Sequence, residues 1–329
     1  MNTDSSVPIL VTGGAGYVGA HVCKALAASG YLPIVFDNLV HGHTAAVKWG
    51  PLEVGDLADR AALDGVIARH QPKAVMHFAA FTYVGESVVD PGKYYRNNVV
   101  GTLTLLEAMR DHAIDRLVFS STAATYGTPD TVPIQESAPK RPINPYGHSK
   151  LAAEQMIADF AKAHDLRAAV LRYFNAAGAD PGGELGECHD PEAHLIPLAM
   201  KAVTGDAPPL TMFGDDYPTP DGTCIRDYIH VSDLADAHVG ALVQLEDRMG
   251  VDAFNLGTGQ GASVREVLSA VELVAGKSVP FTIGPRRDGD PAELVSDSSK
   301  AMRELAWRPA QSDLASIVRT AWAWHTRKC

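Results

Sequence analysis

The chain has 329 residues, with 39 acidic against 28 basic side chains, a formal charge of -11 and 46% hydrophobic residues. That length and balance suit one large soluble α/β unit or two lobes. They exclude nucleic acid and anionic membrane as partners, because no basic block is present, and no apolar run reaches the roughly eighteen residues of a membrane-spanning helix.

The first apolar stretch, Val7–Val11, runs into a glycine-rich turn without a basic leader or cleavage site, so it reads as a strand and not a signal peptide. Strands are expected at Ile9–Thr12, Pro33–Asp37, Ala74–Phe78, Arg116–Ser120 and Arg167–Tyr173. Helical patterns alternate with them at Tyr17–Ser29, Arg60–Arg69, Tyr94–His112 and Pro145–His164. With right-handed crossovers, this predicts a doubly wound parallel Rossmann sheet over residues 1–175. Beyond it Gly, Pro and Asp crowd Ala176–Glu192 and Gly205–Gly222, which marks long functional loops. Helical patterns follow at Val231–Leu245, Ser263–Ala275, Ser298–Leu305 and Leu314–Arg327. A smaller C-terminal α/β lobe over 176–329 is expected, with part of the chain crossing back to the first domain and the ligand in the crevice between them. Cys23, Cys188, Cys224 and Cys329 are scattered, which argues against a disulfide framework and a zinc site. The expectation is a reducing, cytoplasmic compartment and no metal.

The first strand ends in Gly13-Gly14-Ala15-Gly16-Tyr17-Val18-Gly19, which satisfies G-x-G-x-x-G and is followed by a helix. Glycines let the backbone approach a pyrophosphate, and the helix offers free N–H groups at its positive end. Asp37 closes the second strand, where a carboxylate accepts bonds from an adenosine ribose and repels a 2′-phosphate. NAD is therefore expected over NADP. Asp56, in Gly55-Asp56-Leu57 after a third short strand, is either an adenine-side contact or a solvated turn residue.

Tyr146-Gly147-His148-Ser149-Lys150 follows Pro145 at a helix start, so phenol and ammonium share one face at i and i+4. An ammonium near the phenol favours phenolate, which can serve as a general base. Thr122, closing Phe119-Ser120-Ser121-Thr122, supplies a hydroxyl facing the same crevice. Glycine loop, hydroxyl strand and Tyr-x-x-x-Lys in this order resemble the short-chain dehydrogenase/reductase superfamily, and the length resembles its extended branch.

Further motifs, in order along nearly the whole chain, resemble the UDP-glucose 4-epimerase family. They are Phe78-Ala79-Ala80, Val84-Gly85-Glu86-Ser87, Asn97-Asn98, Leu171-Arg172-Tyr173-Phe174-Asn175, the run Gly222–Val231, and Arg286-Arg287-Asp288-Gly289-Asp290. The resemblance implies an isomerase that interconverts UDP-galactose and UDP-glucose through a transient 4-keto sugar and bound NADH. It assigns Gly13, Gly16, Tyr17, Val18, Asp37, Asn38, Asp56, Leu57, Phe78, Ala79, Ala80, Asn98, Tyr146, Lys150 and Phe174 to the cofactor. Asn175, Leu195, Phe213, Arg226, Arg287 and Asp290 fall to the UDP-sugar, together with Thr122 and Tyr146. Arg226 and Arg287 suit diphosphate oxygens, and Asp290 suits ribose hydroxyls. A homodimer is implied as well.

Departures from the family pattern are Thr82 where many members have a cofactor-contacting lysine, His194 where asparagine is common, and Thr122 in place of serine. Ala123 and Ala124 stand where sugar-nucleotide dehydratases carry an acid/base pair, so elimination is excluded and epimerisation favoured. A non-catalytic NAD-sensing protein on the same scaffold is the reading from another class; the retained Tyr146, Lys150 and Thr122 oppose it. Leu294 aligns with the position that gates N-acetylated sugars. UDP-N-acetylhexosamines are expected to be poor substrates, while UDP-pentoses stay open. His77 and His148 are expected to do no chemistry.

Overall fold

Val7–Thr12 (β1) buries its last four residues completely, as a strand covered on both faces must. Ile9 and Val11 enter one core and Leu10 the other, in the strict alternation of a strand. The structure, a computed structural model, describes residues 6–287 and 290–327; Cys329 and the Asp288-Gly289 pair of the arginine motif lie outside the described residues.

Six more strands join β1 in one sheet: β2 Tyr31–Asp37, β3 Leu52–Val54, β4 Ala74–His77, β5 Arg116–Thr122, β6 Arg167–Tyr173 and, much later in the chain, β10 Val251–Leu256. Their order is β10-β6-β5-β4-β1-β2-β3, and every pairing is parallel. The order reverses between β1 and β4, and the crevice beyond their carboxyl ends is the usual ligand position in such sheets. Helices α1 Tyr17–Ala28 and α8 Val231–Gln244 cover one face, through Val22, Leu26, Leu234 and Leu242. On the other face lie α2 Arg60–His70, α5 Gly101–Asp111 and α6 Pro145–His164, through Leu63, Leu105, Met109 and Ile157. Two short helices, α3 Val84–Val89 and α4 Pro91–Tyr94, precede α5.

The single helix expected at Tyr94–His112 is a composite. It starts at Pro91, where the Asp90 side chain caps the Lys93 amide at 3.0 Å, and widens into a π-type turn over Tyr95–Val100 before α5. Such turns insert a residue to re-aim a side chain; here the turn contains the buried Asn98.

The second lobe holds α7 Leu195–Thr204, α9 Val264–Ala275 and α11 Leu314–His325, while α10 Ser299–Glu304 returns to the first domain, where Ala301 joins the sheet core. It also contains strands that its helical patterns did not announce: β7 Asn175–Ala177, β8 Leu210–Phe213, β9 Ile225–His230, β11 Gly261–Ser263, β12 Phe281–Gly284 and β13 Glu293–Leu294. β9 pairs with β7, β11 and β13, while β8 pairs with β12. All are short, two to six residues, so no period could develop in the sequence. Ile196, Met200, Val267, Val271, Ile317 and Val318 form this lobe's own core.

Candidate active site

The glycine turn is shaped by close backbone approach. Gly13 sits at φ +74°, and a Cβ there would come within 2.5 Å of the Ala79 nitrogen. Strand ends β1 and β4 are thus pressed together, with the amides of Phe78 and Ala79 both donating to Thr12 O at 2.8 and 3.1 Å. Gly16 caps α1 without any side chain, which leaves the first helical turn open at its positive end. Asp37 is buried; Oδ2 accepts from the Ala15 amide at 3.0 Å and Oδ1 from the Leu39 amide at 2.8 Å. Its carboxylate therefore stands against the glycine turn. An uncapped helix start, a side-chain-free turn and an adjacent carboxylate fit a dinucleotide.

Other cofactor candidates divide. Asn38 donates to Asp56 Oδ2 at 2.8 Å, and Asp56 Oδ1 accepts from the Ala58 amide, so these two form one polar corner. Asp56 and Leu57 line a hollow of about 300 Å³ with Phe81, Lys93 and Arg96. Leu57 is otherwise a core residue. Tyr17 donates its hydroxyl to Gly178 O at 2.6 Å, linking the glycine turn to the second lobe, and Val18 packs on the sheet core. Asn98 serves as a clamp: it holds both the amide and carbonyl of Phe81 (2.9 and 3.0 Å) and donates to Ser149 Oγ at 3.0 Å. It thereby ties the loop bearing Ala79 and Ala80 to α6.

α6 begins at Pro145, after Asn144 accepts from the Gly147 amide at 2.8 Å. This start fixes Tyr146 and Lys150, both buried, beside the end of β5, where Thr122 is also buried. Burial pushes the Tyr146 phenol up to about 12, with a hydrogen bond from the Thr122 side working the other way. Lys150 is brought down to about 7, first by burial, against the pull of Glu154. Its ammonium donates to Ser120 O at 2.9 Å and lies 4.9 Å from the Phe119 ring centroid. The ammonium is thus tied to a backbone carbonyl, and burial favours the protonated phenol. Desolvation is the larger influence on the phenol here.

Sequence reasoning missed what orients this helix. Glu154, one turn beyond Lys150, is buried and accepts from Ser121 Oγ (2.6 Å) and doubly from Arg172 (2.9 and 2.6 Å). Arg172 also donates to Tyr126 Oη at 2.9 Å, and Tyr126 to Asn255 Oδ1 at 2.7 Å. α6, β5, β6 and β10 are joined in one buried network. The sequence signals were charge inside apolar runs, Arg172 in β6 and Glu154 in α6, and the place of Arg172 in the Leu171–Asn175 motif.

Around β9 the sugar-side candidates gather. Asn175 donates to Asp227 O at 3.1 Å, and Leu294 pairs in register with Arg226. Arg226 forms an ion pair with Asp290, and Arg287 lies over the Phe213 ring at 4.0 Å. Phe174 and Leu294 both pack against the small cluster of Ala123, Tyr126 and Ile134, just past Thr122. Leu195 opens α7 and packs on the second-lobe core. His77 is a buried bridge between Thr12 and Thr102, at 2.7 and 3.0 Å, and burial keeps it neutral at about 3.

A Rossmann sheet with a buried Tyr-x-x-x-Lys beside its hydroxyl strand defines a nicotinamide-dependent enzyme of the short-chain dehydrogenase/reductase class. Residues 9–257 match the NAD dependent epimerase/dehydratase family. A UDP-glucose 4-epimerase of Rhizobium meliloti (strain 1021) is 55% identical over 322 residues, 97% of each chain. Among solved structures, the UDP-glucose 4-epimerase from Brucella ovis in complex with NAD gives a TM-score of 0.94 at 53% identity, covering 97% of this chain and 98% of that one. The enzyme from Bifidobacterium longum, in complex with NAD+ and UDP, gives 0.94 at 40% identity, with 98% and 99% covered. The chain belongs to the NAD dependent epimerase/dehydratase family, on its UDP-glucose 4-epimerase branch.

Proposed function

We propose that the chain is an NAD-dependent UDP-glucose 4-epimerase acting on UDP-galactose and UDP-glucose. The observation that carries this reading is the burial of Tyr146 and Lys150 beside Thr122, with only Ala123 and Ala124 following. Two alanines move no proton, so the site can oxidise and re-reduce a carbinol but cannot eliminate water.

NAD, held by the Gly13–Gly16 turn, Asp37 and the start of α1, supplies a two-electron acceptor and a positive charge. Tyr146, in its phenolate form, takes the proton of the sugar 4-hydroxyl and later returns it. Thr122 holds the same sugar oxygen by a hydrogen bond. Lys150 favours the phenolate by its positive charge. Arg226 and Arg287 grip the diphosphate by charge-assisted bonds, which requires Arg226 to loosen from Asp290. Asn175 and Asp290 bind substrate hydroxyls. UDP is thus anchored while the hexose stays free to turn, which epimerisation at C4 needs.

We also read the protein as a cytoplasmic homodimer serving galactose metabolism. Val88, Val89, Tyr95, Val100 and Leu103 are exposed along the α3–α5 stretch, an apolar band suited to a second copy. No described helix is long and apolar enough to cross a membrane. Purified protein given UDP-galactose, with NAD but no other oxidant, is expected to form UDP-glucose. Absence of that product sinks the reading.

A further inference from the structure

The segment before α7 carries six potential metal ligands in eight residues, of which the fold brings Glu187, His189, Glu192 and His194 together. The expectation of no metal rested on cysteine spacing, which says nothing about sites built from imidazole and carboxylate. One donor atom from each of the four residues lies within 4.8 Å of all the others. The same four atoms recur in every close pair. His194 Nδ1 is 2.5 Å from Glu187 Oε1 and 3.3 Å from Glu192 Oε1; His189 Nδ1 is 3.1 and 3.9 Å from those oxygens. Ligands at zinc distances in a tetrahedral site stand about 3.3–3.5 Å apart, so the observed spacings straddle that value. An ordinary ion pair brings two groups together. Here each imidazole addresses both carboxylates, and all four atoms converge on one point.

The two carboxylates are shielded and the segment is held, while the His194 side chain stays 46% exposed. The Glu187 and Glu192 side chains are 8% and 3% exposed, which leaves two carboxylates facing each other out of water. Glu192 is fixed by the amides of Ala193 and His194, at 2.8 and 2.9 Å. The backbone of the segment is pinned from three other elements: Trp324 Nε1 donates to Glu187 O (3.0 Å), His43 Nε2 bonds Cys188 O (2.8 Å), and Tyr83 Oη donates to Pro191 O (3.1 Å). Such outer contacts orient ligands in metal sites.

We propose that Glu187, His189, Glu192 and His194 bind one divalent transition-metal ion, zinc by preference. Two carboxylates balance its charge, two imidazole nitrogens select it over calcium and magnesium, and four protein donors make the site structural. The rings of Tyr17 and Tyr83 stand edge-on to His189 at 6.3 and 6.2 Å. The ion would therefore fix the fold of the segment 187–194, whose His189 ring stands beside the start of α1. This goes beyond the epimerase reading and does not depend on it.

The test uses the full-length chain without a histidine tag, stripped with a chelator and dialysed against micromolar zinc. Elemental analysis is expected to find one zinc per chain. A zinc excess of a hundredfold over its Kd is expected to raise Tm by about 5 °C. The pair His189→Ala/His194→Ala is expected to lose both effects, while His112→Ala, whose imidazole pairs with Asp64 elsewhere, keeps them. No zinc above background in the wild-type protein after dialysis against zinc overturns the proposal, and so does undiminished binding by the double variant. If that variant fails to fold, Glu187→Gln/Glu192→Gln is read in its place; should neither fold, stoichiometric zinc and the Tm shift in the wild type decide.

Discussion

At the scale of single residues, burial shifts the proton affinities of Tyr146 and Lys150 in opposite directions. Tyr146→Phe removes one oxygen and leaves the buried ring, so fold and NAD binding are expected to persist while kcat falls by about 100-fold to 10,000-fold. Product assays alongside circular dichroism check this, and unchanged turnover would remove Tyr146 from its role. Lys150 carries a stability signature as well. Its native pKa of about 7 lies below the ordinary 10.5, so between those values the unfolded chain holds a proton that the native chain lacks. Stability from this group therefore rises with pH from 7 towards 10.5 and is lost as pH falls. In NAD-free protein, the Tm of wild type minus that of Lys150→Met is expected to increase between pH 7 and 9. A flat difference contradicts the burial-driven shift.

Helices and strands are positioned by polar ties that cross between them. The Glu154–Arg172 pair is nearly sealed, with 8% and 4% side-chain exposure. Glu154→Ala strands a buried guanidinium and is expected to cost about 3–5 kcal/mol, read by urea unfolding. Its effect on activity should follow from a rotated α6, with KM less affected than kcat. At the glycine turn, Gly13→Ala meets both a positive φ and the Ala79 backbone, which cannot move without parting β1 from β4. Loss of NAD affinity together with lowered Tm is the expected outcome; wild-type NAD binding would show that the turn tolerates a Cβ.

Over the whole molecule, the two lobes meet just past Thr122. Leu294 reaches the cluster of Ala123 and Phe174 from β13, a strand of the second lobe, and so borders the space beyond Thr122. Leu294→Ser is expected to raise turnover of UDP-N-acetylglucosamine relative to UDP-glucose by about tenfold, the scale of one or two methylenes in a pocket. Efficient use of the N-acetylated sugar by wild type removes Leu294 as a gate. Sedimentation of Val89→Glu is expected to show monomer where wild type shows dimer.

Much of this was legible from residue order. Gly13–Gly19 after an apolar strand, Tyr146 and Lys150 one helical turn apart, and the buried runs of β1, β4 and β6 are local patterns, and local backbone geometry follows from them. The second-lobe strands were hidden because two to six residues show no period, and β10 because its partner β6 lies some eighty residues earlier in the chain. Arg172, Glu154, Tyr126 and Asn255 read as unrelated polar residues until folding removed water and left them only one another. The same holds for Glu187, His189, Glu192 and His194: their spacing is local, but their convergence depends on Trp324, His43 and Tyr83 pinning the segment. Sequence determined which groups could do chemistry; tertiary structure alone decided which were desolvated, and with what partners, because desolvation is a property of the packed whole.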